Sequence, residues 1–156
     1  MTTVTRGRQP DILEVIGDLS SDEVFTPPRI ARDVLDLLPD DVWSDPSLRW
    51  LDPGTKTGVF LREATLRLME GLAPVFPDEQ ERLEHILRNQ MFGIAITELT
   101  ALMARRTLYC SKTANGPHSI VRMPDATGNI WYRRIEHSYD SNGRCNECGG
   151  LSEQLE

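Results

Sequence analysis

The chain has 156 residues, with 17 Lys and Arg against 24 Asp and Glu and a formal net charge of −7. A hydrophobic fraction of 39% with 26% charged residues fits a globular domain with its own core, and no run is long enough to cross a bilayer. Acidity of this degree excludes a module whose main task is coating nucleic acid, which requires a basic surface.

Residues 1–22 are expected to form an N-terminal extension. The opening MTTVTRGRQPDILEV holds arginines but no apolar segment, so no secretory signal is expected and the expected compartment is the cytoplasm. Val24 to Pro28 is predicted to be extended, because residues before proline avoid the α region. A helix is predicted from Pro28, where Ile30, Val34, Leu35, Leu37 and Leu38 recur at helical spacing until Pro39-Asp40-Asp41 stops it. Arg49-Trp50-Leu51 reads as a short strand ending at Asp52-Pro53. Helical periodicity resumes with Phe60, Leu61, Ala64, Leu68, Met69 and Leu72.

A third helix is predicted to start near Pro77, with Asp78 and Glu79 complementing its dipole and Leu83, Ile86 and Leu87 turned inward. Met91 to Ile96 reads as a buried strand leading into a fourth helix over Glu98 to Tyr109, with Leu99, Leu102 and Met103 on one side. Strands alternating with helices over 23–110 predict a parallel sheet with helices packed on its faces, as in doubly wound nucleotide-binding folds. Beyond Tyr109, the short β-like runs Ser119 to Arg122 and Asn129 to Tyr132 predict a separate small β lobe over 111–156.

The loop Asp52-Pro53-Gly54-Thr55-Lys56-Thr57-Gly58 joins the first predicted strand to a helix. A triphosphate-binding loop would need a glycine directly before its lysine, and Thr55 stands there. An acid closing a strand, followed by a glycine-containing turn into a helix, instead suits a cofactor at the carboxyl edge of such a sheet. Small residues there let backbone approach the ligand closely.

Asp52-Pro53-Gly54-Thr55-Lys56-Thr57-Gly58-Val59-Phe60-Leu61 resembles the cofactor loop of adenine-specific DNA methyltransferases of restriction–modification type, which usually reads Asp-Pro-Ala-Cys-Gly-Ser-Gly-x-Phe-Leu. Phe25-Thr26-Pro27-Pro28 with Ile30-Ala31 is similar to the Thr-Pro segment that precedes that loop, and Phe92-Gly93-Ile94 through Arg105 is similar to the next strand and helix. The resemblance, over about residues 24–110, implies a partial Rossmann-like sheet and S-adenosylmethionine as cofactor. It implies cofactor contacts from Thr26, Pro27, Asp52, Pro53, Gly54, Thr55, Thr57 and Gly58.

Lys56 replaces the family's middle glycine. Ala95 stands where the ribose-binding acid is expected, and Glu98 is the nearby candidate for that role. The family polarises the adenine amine with Asn or Asp-Pro-Pro-Tyr/Phe, stacking its aromatic ring on the flipped base. No such tetrapeptide occurs here, so the resemblance implies the cofactor-binding portion of an enzyme, inactive alone. The partners implied are DNA, through a complete enzyme, and a second subunit supplying the catalytic half. The alternative is a non-catalytic module that docks DNA or a subunit.

Cys145-Asn146-Glu147-Cys148-Gly149-Gly150 has metal-knuckle spacing, and two further nitrogen or sulfur ligands would complete a structural zinc site. Cys110 and His137 flank the predicted lobe, so Cys110, His137, Cys145 and Cys148 are the expected zinc ligands, set against three reduced thiols and a surface histidine. Arg105-Arg106 and Arg133-Arg134 are candidate phosphate contacts, or plain solvated surface. Trp131 and Tyr132 are expected to pack rather than to stack on a base.

Overall fold

The computed structural model describes residues 25–132, 138–146 and 149–151. Pro27 caps α1 (Pro28–Leu35), whose fixed proline φ suits the first helical turn. A short 3-10 helix, Asp40–Ser44, leads to β1 (Trp50–Asp52). Next come α2 (Val59–Gly71) and α3 (Glu79–His85), which runs on into a π-helical turn, Ile86–Gln90. Then follow β2 (Met91–Ile94), α4 (Glu98–Tyr109) and β3 (Ile130–Trp131).

Local chemistry sets several of these boundaries. The Asp78 carboxylate accepts from the Glu81 N–H at 2.8 Å and so caps α3. Thr97 caps α4 in a reciprocal box with Thr100. The three strands are all parallel, in the order β1-β2-β3, with Trp50 opposite Met91 and Gly93 opposite Ile130. An α/β fold with a small parallel sheet is therefore what the alternating pattern yields.

Strand pleating sorts the side chains onto two faces. Trp50, Met91, Gly93 and Ile130 share one face, which carries the helices; a Cβ on Gly93 would lie 3.1 Å from Leu61 Cδ1 of α2 and 3.0 Å from Ile130 Cδ1. The core there joins Leu61, Leu68, Ile86, Leu87, Met91, Ala101, Ala104, Leu108 and Ile130. Leu51, Phe92, Ile94 and Trp131 share the other face, where Leu51 is 59% and Trp131 69% exposed. Helices were expected on both faces; among the described residues they cover one.

Three further expectations are corrected. The inner side of α4 is Ala101, Ala104 and Leu108, while Leu99 is exposed, because small side chains let this helix approach Gly58 closely. In α1, Ala31 and Leu35 are buried, but Ile30, Val34 and, just beyond the helix, Leu37 lie outward. No strand forms over Ser119 to Arg122; Val121 and Met123 enter the main core, and Ile130-Trp131 joins the main sheet rather than a separate lobe.

That last segment is tied down by polar groups. The fully buried Tyr109 hydroxyl accepts from the Asn129 N–H at 2.9 Å, and Asn129 donates to the Leu87 and Arg88 carbonyls, each at 3.0 Å. Burial pushes the Tyr109 hydroxyl up to about 12, so it stays protonated.

Candidate functional site

β1 delivers Asp52 to the carboxyl edge of the sheet, and Gly58 starts α2 six residues later with φ +76°. That left-handed conformation suits glycine, and a Cβ would stand 3.0 Å from Ala104 Cα. Between these ends the loop is held from within. The Gly54 N–H donates to the Asp52 carboxylate at 3.2 Å, and the Thr55 N–H donates to the Ile94 carbonyl at 3.0 Å, fastening the loop to the end of β2.

Thr55 and Thr57 are buried, whereas Pro53 and Gly54 face outward. Gly93 accommodates Thr55: a Cβ there would meet the Thr55 methyl at 2.9 Å. Burial raises the Asp52 carboxyl above its ordinary value, opposed by the Gly54 N–H and by the nearby Thr55 hydroxyl. That hydroxyl is itself buried and meets no partner at hydrogen-bond geometry.

The Thr-Pro segment reaches the same place. Ala31 of α1 packs on Val59 at the start of α2, and the buried Glu63 carboxylate pairs with Arg62 at 2.9 Å and with Arg32 of α1 at 3.5 Å. Thr26 and Pro27, both half-buried, thereby sit at the head of a helix latched to the loop's own helix. Lys56 confirms the proximity, with Nζ 6.0 Å from the centre of the Phe25 ring. At the next strand's end Ala95 is buried, Ile96 is 76% exposed, and Glu98 is exposed in the first turn of α4. Segments 25–27, 52–58 and 95–98 thus gather at one edge of the sheet. The groove of about 470 Å³ lined by Asp36, Trp43, Arg67 and Glu70 involves none of these residues.

Ile96 was expected to close a buried strand, but β2 stops at Ile94 and Ile96 is 76% exposed beyond it; Glu63, an acid on the buried side of α2, went unremarked in the sequence. Arg105 is half-buried and donates to the Ile130 carbonyl at 3.0 Å, so it serves structure rather than a phosphate. Arg133 and Arg134 lie outside the described residues, and Trp131 is exposed rather than packed.

Of the expected zinc ligands, His137 and Cys148 lie outside the described residues. Cys110 is exposed at the left-handed C-cap of α4, and Cys145 is 4% exposed. Around Cys145 the chain turns tightly: the Gly149 N–H donates to its carbonyl at 2.9 Å, and its own N–H donates to Gly150 at 2.8 Å. Among the described residues no group of three or more His, Cys, Asp or Glu is placed to hold a metal ion, so the zinc-stapled lobe is not borne out by them.

The chain is similar to an uncharacterized adenine-specific methylase of Mycoplasma pneumoniae (strain ATCC 29342 / M129 / Subtype 1), 48% identical over 108 residues. The match covers 67% of this chain and 26% of that relative, so the chain spans about a quarter of the relative's length. No protein-family model matches the chain, and no solved structure matches it. No helix among the described residues is long and apolar enough to cross a membrane.

Proposed function

We propose that this chain is the S-adenosylmethionine-binding part of an adenine-N6 DNA methyltransferase of restriction–modification type. The observation that carries this reading is the convergence of the three family-like segments, 25–27, 52–58 and 95–98, on one carboxyl edge beside an uncapped start of α2. The 48% identity to a protein named as an adenine-specific methylase supports the methylase part of this reading.

In this arrangement the Asp52–Gly58 loop lies under the cofactor. The exposed backbone at Gly54 has nothing within 4 Å of its missing Cβ, leaving room for close approach. Thr26 and Pro27 border the methionine end, where the free N–H groups of the first turn of α2 suit a carboxylate. Glu98 approaches the ribose hydroxyls, and Ile96 offers an apolar surface for the adenine ring. When bound, the cofactor supplies an activated methyl group that the target amine attacks directly.

The groups that would polarise that amine are not in this sequence, so the chain alone binds cofactor and transfers nothing. DNA is engaged by the complete enzyme. A structural zinc held by Cys110, His137, Cys145 and Cys148 is part of this proposal on the Cys-x-x-Cys spacing of the sequence alone.

Calorimetric titration with S-adenosylmethionine tests the reading. Binding in the micromolar range is expected, weakened about tenfold or more by Asp52→Ala. Absence of heat at millimolar cofactor would leave a non-catalytic docking module as the function.

A further inference from the structure

The unoccupied face of the sheet and the outer edge of β1 share one physical cause. Parallel crossovers are right-handed, so strands laid down successively in one direction place their connecting helices on a single face. The order β1-β2-β3 follows that pattern, and the helices lie where Gly93 and Ile130 point. Purely parallel sheets are buried on both faces, and their strands are apolar on both sides as a result. This sheet meets the second condition and not the first. Leu51, Phe92, Ile94 and Trp131 form one apolar surface, with Leu51 59%, Ile94 43% and Trp131 69% exposed. β1 is also an edge strand, with no neighbour on its outer side among the described residues. In a doubly wound sheet both deficits are met together by a second half that starts beside the first strand and winds the opposite way.

We infer that this face and the β1 edge are the docking surface for the second half of the same sheet. The occupant is a polypeptide equivalent to the stretch of the Mycoplasma pneumoniae relative that this chain does not span. One of its strands pairs parallel to Trp50–Asp52, and its helices cover Leu51, Phe92, Ile94 and Trp131. The length relation argues for this occupant: the matched part is 26% of that relative, so most of its chain remains to be placed. Isolated apolar residues on a surface are ordinary, but four on adjoining strands of one pleated face constitute a patch that calls for a partner. The inference rests on the likeness to that methylase and not on cofactor binding.

Co-expression of the 156-residue chain with the longest stretch of the relative outside the 108-residue match provides the test. A stoichiometric complex is expected, in which oxidation of Trp131 by hydroxyl radicals slows several-fold and the amides of Trp50–Asp52 gain protection from exchange. In the isolated chain Trp131 is expected to oxidise freely, and the chain to be monomeric. The pair Ile94→Asp and Trp131→Glu replaces exposed side chains, so the chain should keep its circular dichroism while the complex weakens at least about tenfold.

No complex, or one indifferent to that pair, would overturn the inference. So would a face already shielded in the isolated chain, by a second copy or by residues 1–24. None of these measurements contains cofactor. A complex that forms without S-adenosylmethionine binding would sink the proposed function alone, and cofactor binding without a complex would sink the docking surface alone.

Discussion

Asp52, the acid proposed to meet the cofactor, illustrates how such a group strains the scaffold that holds it. Burial lifts its carboxyl above the ordinary value of 3.8, so the folded chain holds that proton more tightly than the unfolded chain does. The stabilising contribution of the protonated form is complete below 3.8 and is lost as pH rises through the folded value; at neutral pH the ionised Asp52 costs stability. Asp52→Asn keeps an acceptor for the Gly54 N–H and removes the buried charge. It is expected to melt higher than the parent chain at pH 7, with the difference vanishing as the pH approaches 3.8, by differential scanning calorimetry at several pH values. Cofactor affinity should fall in the same variant, the usual exchange between stability and a poised site.

Asp52 was legible in the sequence because a strand, an acid and a turn stand in fixed order. What could not be read there was the fastening of Thr55 to Ile94, a contact across 39 positions of chain that only strand pairing creates.

At the level of elements, the two loop glycines separate conformational need from mere space. Gly58 has φ +76° and would place a Cβ 3.0 Å from Ala104 Cα, whereas Gly54 meets nothing within 4 Å and has no positive φ. Gly58→Ala is therefore expected to destabilise the chain by about 1–3 kcal/mol. Gly54→Ala should stay within about 0.5 kcal/mol of the parent. Urea unfolding followed by circular dichroism distinguishes the two. A cost at Gly54 equal to that at Gly58 would contradict this account of the loop.

Periodicity found α1, α2, α3 and α4, since each has an apolar repeat. It misassigned the inner side of α4 because the deciding residues are Ala101 and Ala104, whose burial depends on how near a neighbour can come rather than on hydrophobicity. Ile130-Trp131 was read as belonging to another lobe for a related reason. A two-residue strand carries no period, and its place is fixed by Tyr109, Arg105 and Asn129 acting from elsewhere in the chain.

Among the described residues, the main buried core lies under one face of a short sheet, a small second cluster forms where Ala31 meets Val59, and a tight turn surrounds Cys145 near the C-terminal end. The proposed metal makes a prediction at this scale, because ion binding to a segment with little apolar mass is folding energy for that segment. Elemental analysis should give about one zinc per chain, lost from Cys145→Ser/Cys148→Ser, with antiparallel pairing at Tyr139 and Cys145 loosened in the variant. Full metal-free retention of that pairing would remove zinc from the assignment.

The absent side chain at Gly93 has a wider reach than its size indicates. Thr55 of the loop, Leu61 of α2 and Ile130 of β3 all crowd into the volume that one methyl group would fill. Dense interiors yield little, so any shift of the third strand presses on the Asp52–Gly58 loop through van der Waals contact alone. Whatever orders that strand from the far side of the sheet thus also bears on where Thr55 sits at the rim.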